Sequence, residues 1–279
     1  MKFTKMQGCG NDYVYVNCFI EKVDNPEEIA KIVSDRHFGI GSDGLILIKP
    51  TDKADFYMDM YNSDGSKSQM CGNGIRCVAK YVYDYGLTDK LNISIETGAG
   101  IKYLDLKVKE NKVSEVTVDM GSPITKASMI PVISDSQEVI AKPVNAAGAE
   151  YLVTCVSMGN PHAIIFVDDT KNIDIEKVGP LFEHHSMFPE RTNTEFIHVV
   201  DKSTIDMRVW ERGSGETLAC GTGACASVYA CIWNGFTEDN VTVRLLGGEL
   251  KIKYDREKNT IFMTGPAVTV FDGEINLNI

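Results

Sequence analysis

Two cysteines, each followed by a glycine-rich turn, are the residues of this chain whose type and spacing best suit chemistry. Residues 70–74 read MCGNG around Cys71, and residues 219–223 read ACGTG around Cys220. The two cysteines are 149 residues apart in a chain of 279. A thiol can give or take a proton, so a matched pair of thiols predicts acid–base work.

The same offset of 149 residues relates three further pairs of short motifs. They are Gly10-Asn11 with Gly159-Asn160, Gly86-x-Thr88 with Gly235-x-Thr237, and Gly98-x-x-x-Lys102 with Gly247-x-x-x-Lys251. Matches in one register without net insertion are not expected by chance. The chain is therefore predicted to contain two copies of one structural unit, each with a cysteine at the same place.

Each cysteine precedes a predicted buried helix. The first helix should run from Gly72 to about Tyr85, and the second from Gly221 to about Asn234. Both are followed by a glycine, a common helix stop, and both are largely small or apolar, as buried helices are.

A thiol at a helix N-terminus is expected to ionise more easily than a free one, because unpaired N–H groups and the helix dipole favour negative charge. Glycines there let the backbone approach a ligand. If Cys71 and Cys220 faced one carbon from both sides, one could remove a proton as base and the other return one as acid. Such chemistry needs no pyridoxal-type cofactor, so none is expected. No metal is expected either, since the cysteine spacings lack the zinc-ligand pattern.

Polar residues near each cysteine suit a zwitterionic amino acid. Glu211 suits an ammonium group, and Arg212 suits a carboxylate through a forked contact. Asn62 stands at the position of Glu211 in the first copy. Asn11 and Asn160 can both donate and accept hydrogen bonds.

Seven segments, in order and spacing, resemble the diaminopimelate epimerases over nearly the whole chain. They are KMQGCGND, RHFGIGSDG, YNSDGSKSQMCGNGIRC, SMGNPHA, RTNTEF, WERGSGETLACGTGACA and GGELKI. The resemblance implies interconversion of LL- and meso-diaminopimelate on the route to lysine and peptidoglycan. It also implies two α/β lobes and a closed cleft between them.

Carried over by position, the resemblance implies that Cys71 and Cys220 are the acid–base pair. Glu211 would take the reacting ammonium, and His162 would line the site. Backbone N–H groups facing the reacting carboxylate would come from Gly72, Asn73, Gly221 and Thr222. Residues holding the distal end of the substrate would be Asn11, Asn62, Asn160, Asn193 and Arg212. Gly44 departs from the pattern, because some members have Gln there.

The predicted fold is α/β (α+β), with two pseudo-symmetric lobes, each a curved, mainly antiparallel sheet around a central buried helix. The N-terminal lobe would comprise residues 1–119 completed by 265–279, and the C-terminal lobe residues 120–264. Predicted strands cover 12–19, 55–61, 102–108, 151–156, 163–167, 204–210, 241–245 and 261–264. Two further helices are predicted, one capped by Asn25 and running to about Arg36, and one from about Asp174 to before Gly179-Pro180.

Composition narrows the class of protein. The net charge is −11 and no basic cluster stands out, which disfavours nucleic acid and anionic membranes as partners. No stretch reaches the roughly 18 to 20 apolar residues of a membrane span. Eight cysteines in a chain of this length are too few for a secreted disulfide scaffold. We therefore expect a cytoplasmic protein with free thiols, a small-molecule amino-acid substrate and a homodimeric assembly.

Two alternatives remain open at this stage. A racemase of proline or hydroxyproline would keep the fold and change the substrate. A thiol redox sensor would use the same two cysteines but would not need the polar residues around them.

Overall fold

The computed structural model describes residues 1–277. Residues 278 and 279, the end of the segment predicted to complete the N-terminal lobe, lie outside the described residues. The chain forms two compact units, one of Met1–Val118 with the segment that begins at Thr264, and one of Asp119–Met263. Each unit mixes strands with two α-helices, so the predicted α/β class is confirmed.

The first unit contains strands β1–β8 and β18 with helices α1 and α2. Their bounds are β1 Lys2–Gly8, β2 Asn11–Asn17, α1 Pro26–Ser34, β3 Gly44–Lys49, β4 Phe56–Asn62, β5 Lys67–Ser68, α2 Gly72–Asp84, β6 Asn92–Thr97, β7 Gly100–Lys109, β8 Lys112–Gly121 and β18 Val268–Glu274.

Pairing in this unit is mainly antiparallel, with parallel pairs at β2–β3 and β4–β6. Helix α2 packs against β1 and β2 and also against β7, which lies several strands away in the pairing order. One helix can reach both only if the sheet curves around it. The helix is buried accordingly: Cys77, Val78 and Ala79 have no exposed surface.

The second unit contains strands β9–β17 with helices α3 and α4 and one short 3-10 helix. Their bounds are Ala127–Met129 for the 3-10 helix, β9 Lys142–Ala146, β10 Ala149–Ser157, β11 Pro161–Phe166, α3 Ile175–Glu183, β12 Asn193–Asp201, β13 Thr204–Glu211, β14 Gly215–Thr217, α4 Gly221–Trp233, β15 Asn240–Leu245, β16 Gly248–Asp255 and β17 Thr260–Gly265.

The second unit repeats the plan of the first. Parallel pairs occur at β11–β12 and β13–β15, and α4 packs against β10, β11 and β12 as well as β15 and β16. Helix α4 has the same length as α2, 13 residues, and begins 149 residues after it. The parallel ladders agree in register too, since Val14 lies opposite Leu45 and Ala163 lies opposite Thr194. The duplication predicted from the motifs is therefore confirmed at the level of strand register.

The strands beside the central helices are covered on both faces. In β3, Leu45 and Leu47 belong to the core shared with α1, whereas the methyl group of Ile46 approaches α2 at Gly74. A strand buried on both sides reads as a continuous apolar run, here residues 45–48. The equivalent strand β12 carries Glu195 at the position of Ile46.

Two details of the predicted helices are wrong. Asn25 precedes α1, but its backbone is left-handed (φ 52°) and its side chain caps nothing; the helix begins at Pro26 and ends at Ser34 rather than near Arg36. Helix α3 was expected to end before Gly179-Pro180, yet it continues to Glu183. Gly179 packs directly on the ring of Trp210, and Phe182 is fully buried, so tertiary packing carries the helix through the proline.

Within residues 1–277, none of the helices has both the length and the apolar character that crossing a membrane requires.

Candidate active site

Cys71 is the N-cap residue of α2. Its backbone is extended (φ −135°, ψ 120°), and its sulfur accepts the N–H of Gly74 at 3.3 Å. Oxygen-bearing side chains usually fill this position, so a sulfur here places a reactive atom where a helix offers unpaired N–H groups. The predicted start of this helix, at Gly72, is confirmed.

The Cys71 thiol also contacts a fixed amide. It donates to Oδ1 of Asn11 at 3.2 Å, and Nδ2 of Asn11 donates to Asp43 at 2.7 Å. Asn73, the second residue of α2, places its amide 3.5 Å from the same Asn11 oxygen. The predicted residues Asn11, Cys71 and Asn73 therefore lie together, and Asp43 holds the group.

A buried guanidinium lies behind this helix start. Arg76 has no exposed surface; it donates to the carbonyl of Gly72 at 3.0 Å and to Oδ1 of Asn73 at 2.9 Å. Its Nε donates to the carbonyl of Pro266 at 3.2 Å. Arg76 thus fixes the first turn of α2 through side-chain and backbone acceptors.

Asn62 ends β4, where its amide donates to the hydroxyl of Ser66 at 3.0 Å. Gly44 lies opposite Asn62 in the β3–β4 ladder. A Cβ at Gly44 would lie 2.8 Å from the ring of Tyr13 and would collide with the carbonyl of Tyr61. The packing around Gly44 therefore leaves no room for the side chain that some members of the family have at this position.

Cys220 occupies the same place in the second unit. It is the N-cap of α4 (φ −117°, ψ 111°), and its sulfur accepts the N–H of Gly223 at 3.4 Å. The hydroxyl of Thr222 lies 3.5 Å from the sulfur. Gly221 and Thr222 open the helix, as predicted.

The charge around Cys220 differs from the expectation. Burial, followed by the carboxyl groups of Glu211 and Glu195, raises the pKa of Cys220 well above its ordinary value. Contacts with Thr222 and Gly223 act in the opposite direction but are outweighed. The prediction that the helix N-terminus makes this thiol easy to ionise is therefore wrong for Cys220, because desolvation and acidic neighbours dominate.

Glu211 ends β13 and hydrogen-bonds with Cys220. It also accepts the hydroxyl of Thr217. Burial is the main cause that raises the pKa of Glu211 above its usual range. A carboxyl group in this state gains from a cationic partner, since an opposite charge nearby favours the ionised form.

His162 belongs to a buried chain of hydrogen bonds that leads to the thiol. Its Nδ1 lies 2.6 Å from Oε1 of Glu195, and its Nε2 lies 3.0 Å from Oδ1 of Asn160. The amide of Asn160 donates to the hydroxyl of Thr222 at 3.2 Å, and that hydroxyl lies beside Cys220. Both His162 and Glu195 are fully buried.

Asn193 and Arg212 are joined through the backbone. Asn193 is buried at the start of β12; its amide donates to the carbonyl of Pro161 at 2.9 Å, and its oxygen accepts the N–H of Arg212 at 2.9 Å. The guanidinium of Arg212 donates to the carbonyl of Glu190 at 2.9 Å. Asn193 thus sets the backbone from which the Arg212 side chain extends.

Sequence reasoning missed Asp43, Arg76 and Glu195. The sequence does contain a signal for Glu195. The 149-residue offset pairs this charged residue with the apolar Ile46, and both lie in buried parts of their strands. The same comparison pairs Arg76 with Cys225 and Tyr13 with His162. Charges that appear in one copy and not in the other mark residues that the shared fold does not require.

The eight cysteines are thiols and not disulfides. Among residues 1–277 there is no group of three or more His, Cys, Asp or Glu side chains suited to hold a metal ion. Each unit thus offers one thiol at a helix N-terminus, with amide groups and, in the second unit, carboxyl groups around it.

The sequence profile of the family described as diaminopimelate epimerase matches residues 3–126 and 154–270. A diaminopimelate epimerase of Agathobacter rectalis is 62% identical, covering 99% of this chain and 100% of the relative. One of Acetivibrio thermocellus is 59% identical over 100% of this chain and 99% of the relative. One of Methanococcus maripaludis is 58% identical over 99% and 100%.

Solved structures with the same fold have far lower identity. A probable proline racemase of Agrobacterium radiobacter has a TM-score of 0.75 at 13% identity, covering 99% of this chain and 93% of that one. A phenazine biosynthesis protein of the PhzF family from Bacillus anthracis has a TM-score of 0.71 at 19% identity, covering 99% of both chains. These likenesses establish the fold, while the profile and the close relatives agree on one family over almost the whole length. The chain belongs to the diaminopimelate epimerase family.

Proposed function

We propose that this protein interconverts LL- and meso-diaminopimelate, using Cys71 and Cys220 as a pair of acid and base and no pyridoxal-type cofactor. The observation that carries the proposal is the placement of both thiols as N-caps of equivalent helices in a chain at least 50% identical to eight diaminopimelate epimerases. Serving one α-carbon from its two faces is the simplest use of two equivalent thiols.

The reacting carboxylate is assigned to the helix N-termini. Backbone N–H groups of Gly72, Asn73, Gly221 and Thr222 would bind its oxygens and stabilise the enolate character that develops as the α-proton leaves. Removal of the proton by one sulfur and return of a proton by the other inverts the carbon. In the reverse direction the two sulfurs exchange roles.

Glu211 is assigned to the reacting ammonium group. Its carboxyl group is largely desolvated, and its pKa is raised mainly by burial. An ammonium partner would favour the ionised form, because an opposite charge offsets the cost of burying a carboxylate. This contact would also align the α-carbon beside Cys220, to which Glu211 is hydrogen-bonded.

The distal amino-acid end is assigned to four amides and one guanidinium. These groups belong to Asn11, Asn62, Asn160, Asn193 and Arg212. His162 is assigned a supporting role next to Asn160, to which it is hydrogen-bonded. A substrate with a second zwitterionic end uses such a set, whereas proline has no group to engage it.

Solvent exchange tests the reaction. Reduced protein is incubated with LL-diaminopimelate in heavy water, and the α-proton is followed by NMR or mass spectrometry. We expect deuterium at the α-carbon together with the appearance of the meso isomer. Absence of deuterium uptake with folded, reduced protein would refute the proposal.

Single substitutions test the use of both thiols. Cys71→Ala and Cys220→Ala should each abolish epimerisation, because each removes one of two obligatory proton carriers. Cys231→Ala, which changes a buried thiol near the end of α4, is the matched control. Retention of most activity by either N-cap variant would contradict a two-base scheme.

Competition decides between substrates. Diaminopimelate, proline and hydroxyproline are offered together, and α-deuteration of each is measured. We expect exchange of diaminopimelate alone; preference for either imino acid would transfer the assignment to a proline-type racemase.

We further propose a cytoplasmic location, since N-cap thiols that carry protons must stay reduced, and a homodimeric assembly. Sedimentation velocity across a range of concentrations tests the assembly. Cell fractionation with the native chain tests the location.

A further inference from the structure

The two cysteine sites rest on different side chains, although their backbones correspond. The second glycine of each turn, Gly74 or Gly223, packs against one residue of the neighbouring strand. In the first unit this residue is Ile46, whose methyl carbon lies 2.8 Å from where a Cβ of Gly74 would be. In the second unit it is Glu195, whose Oε1 lies 2.5 Å from the same position on Gly223. A carboxylate thus replaces a methyl group against the first turn of the helix.

The surroundings of Glu195 explain how a buried carboxylate is tolerated there. Oε1 pairs with Nδ1 of His162, and the N-terminus of α4 favours negative charge. Oε2 is buried and has no hydrogen-bond partner among the described residues. Leaving a buried acceptor unsatisfied is unfavourable, so packing alone gives no reason for a carboxylate at a place that an isoleucine fills in the other unit.

Glu195 lies at the start of a continuous path to the thiol. The path runs from Glu195 to His162, then through Asn160 to Thr222 and on to Cys220, with successive contacts of 2.6, 3.0, 3.2 and 3.5 Å. The equivalents of Glu195 and His162 in the first unit, Ile46 and Tyr13, cannot form this link. The path is therefore specific to one of the two thiols.

We propose that Glu195 is a positioning residue of the Cys220 site, which fixes His162 and, through Asn160 and Thr222, the place of the sulfur. It touches neither substrate nor reacting atom. The role deepens the proposed function and rests on it for its catalytic meaning. Its consequence is that the two thiols are inequivalent in the free protein, because Cys220 lies at the end of a path from a buried carboxylate and Cys71 does not.

Four titratable groups interact with Glu195 from the elements around it. They are His162 of β11, Cys155 of β10, Glu211 at the end of β13 and Cys220 before α4. Glu195 and Glu211 both act to raise the pKa of Cys220, after burial as the largest cause. Removal of the Glu195 charge must therefore let Cys220 ionise at lower pH.

The first measurement needs no substrate. The rate of alkylation by iodoacetamide is measured for Cys71 and Cys220 separately, by peptide mass spectrometry, across the alkaline pH range. In Glu195→Gln, which keeps the shape and removes the charge, we expect the Cys220 profile to move to lower pH while that of Cys71 stays in place. Glu183→Gln is the control, because it neutralises another buried carboxylate of the same unit, one that contacts Trp210 and Arg191.

The second measurement uses epimerisation kinetics. We expect Glu195→Gln to lower kcat roughly 10- to 100-fold with little change in KM, as misplacement of a reacting group does. In a His162→Gln background the same substitution should have little further effect, because the path is already broken. Glu195→Asp keeps the charge but shortens the reach to His162, so kcat should fall while the Cys220 profile stays near that of wild type.

The outcomes separate this inference from the proposed function. An unchanged Cys220 profile in Glu195→Gln, or kcat losses that simply multiply in the double variant, would overturn the role of Glu195. Should Glu195→Gln fail to fold, a Glu195→Asp protein with wild-type kcat would overturn it equally. If the wild type does not epimerise diaminopimelate, the function falls, and the alkylation profiles still decide whether Glu195 acts on Cys220.

Discussion

The sulfur of Cys71 lies 3.2 Å from the side-chain oxygen of Asn11, and Asp43 holds that amide from its other side at 2.7 Å. The amide therefore has a fixed orientation, with its acceptor facing the thiol and its donor facing a carboxyl group. Burial, more than the neighbouring Asp12, raises the pKa of Asp43 above its ordinary value. A second carboxyl group at the position of Asn11 would have to share a proton with Asp43.

Asn11→Asp tests this relationship. The new carboxyl group would lie next to Asp43, and two close carboxylates cannot both ionise, so the folded pKa of the pair rises above the unfolded one. A raised folded pKa contributes stability that is present at low pH and lost as pH rises through the folded value. We expect a loss of about 1–3 kcal/mol in the free energy of unfolding at about pH 8, and much less at about pH 4.

Urea unfolding at both pH values measures this difference, with Asn11→Ala as control. The alanine variant also loses the donor to Asp43 but adds no titrating group. An equal loss for Asn11→Asp at both pH values would show that the two carboxyl groups do not interact.

Glu211→Gln should separate substrate binding from thiol ionisation. Loss of the charge removes the proposed partner of the substrate ammonium, so KM should rise about tenfold or more, which corresponds to about 1.4 kcal/mol. Since the Glu211 carboxylate also raises the pKa of Cys220, the alkylation of Cys220 should move to lower pH. Steady-state kinetics and peptide-resolved alkylation check the two effects, and an unchanged KM would remove Glu211 from the ammonium site.

Acid stability should depend on Asp59. This carboxylate is only 3% exposed, and burial alone would raise its pKa, but hydrogen bonds and charge from Lys49 and Lys67 outweigh burial and lower it below the ordinary value. A lowered folded pKa contributes stability above the unfolded pKa, and this stability is lost as pH falls through the folded value. Asp59→Asn should lower the free energy of unfolding by about 1–3 kcal/mol at neutral pH and flatten its decline in acid.

Urea midpoints between neutral pH and about pH 3 measure this dependence. Asp52→Asn, which changes an exposed acid near the same strands, is a suitable control. If the free energy of unfolding fell as steeply with decreasing pH in Asp59→Asn as in wild type, other carboxylates would be responsible for the acid dependence.

Gly223→Ala and Gly74→Ala form a matched pair. The new Cβ would meet the carboxylate oxygen of Glu195 in one case and the flexible end of Ile46 in the other. Ile46 can turn away, but Glu195 is tied to His162, so we expect the larger loss for Gly223→Ala. Overpacking of this kind costs about 1–3 kcal/mol, and the displaced Glu195 should also lower kcat. Thermal unfolding and kinetics of both variants check the order; equal losses would show that Glu195 is free to move.

The central helices and their cysteines were predictable because their signals are local. A glycine-rich turn, a run of small apolar residues and a closing glycine set both ends of α2 and α4. All eight predicted strands correspond to strands of the structure, with ends that differ by at most a few residues. Several other strands were not predicted, and β12 is one of them, because Asn193, Thr194 and Glu195 interrupt its apolar pattern for reasons that lie in the site.

The charges around the thiols were not predictable in the same way. The raised pKa of Cys220 depends on burial and on carboxyl groups that are 9 and 25 residues away in sequence, Glu211 and Glu195. The only influence that the local sequence shows is the helix N-terminus, which favours the ionised thiol and so acts in the opposite direction. Likewise, the passage of α3 through Pro180 depends on its contact with Trp210, which no local pattern reports.

The shared register of the two units suggests descent from one ancestral half-length gene. Two identical copies would have carried identical sulfurs, with no built-in preference for which holds the proton at rest. The carboxylate of Glu195 in one copy, where the other copy has the methyl group of Ile46, makes the two sulfurs different. Swapping Ile46 with Glu195, Tyr13 with His162 and Asn62 with Glu211 between the copies would then move the acidic surroundings from Cys220 to Cys71.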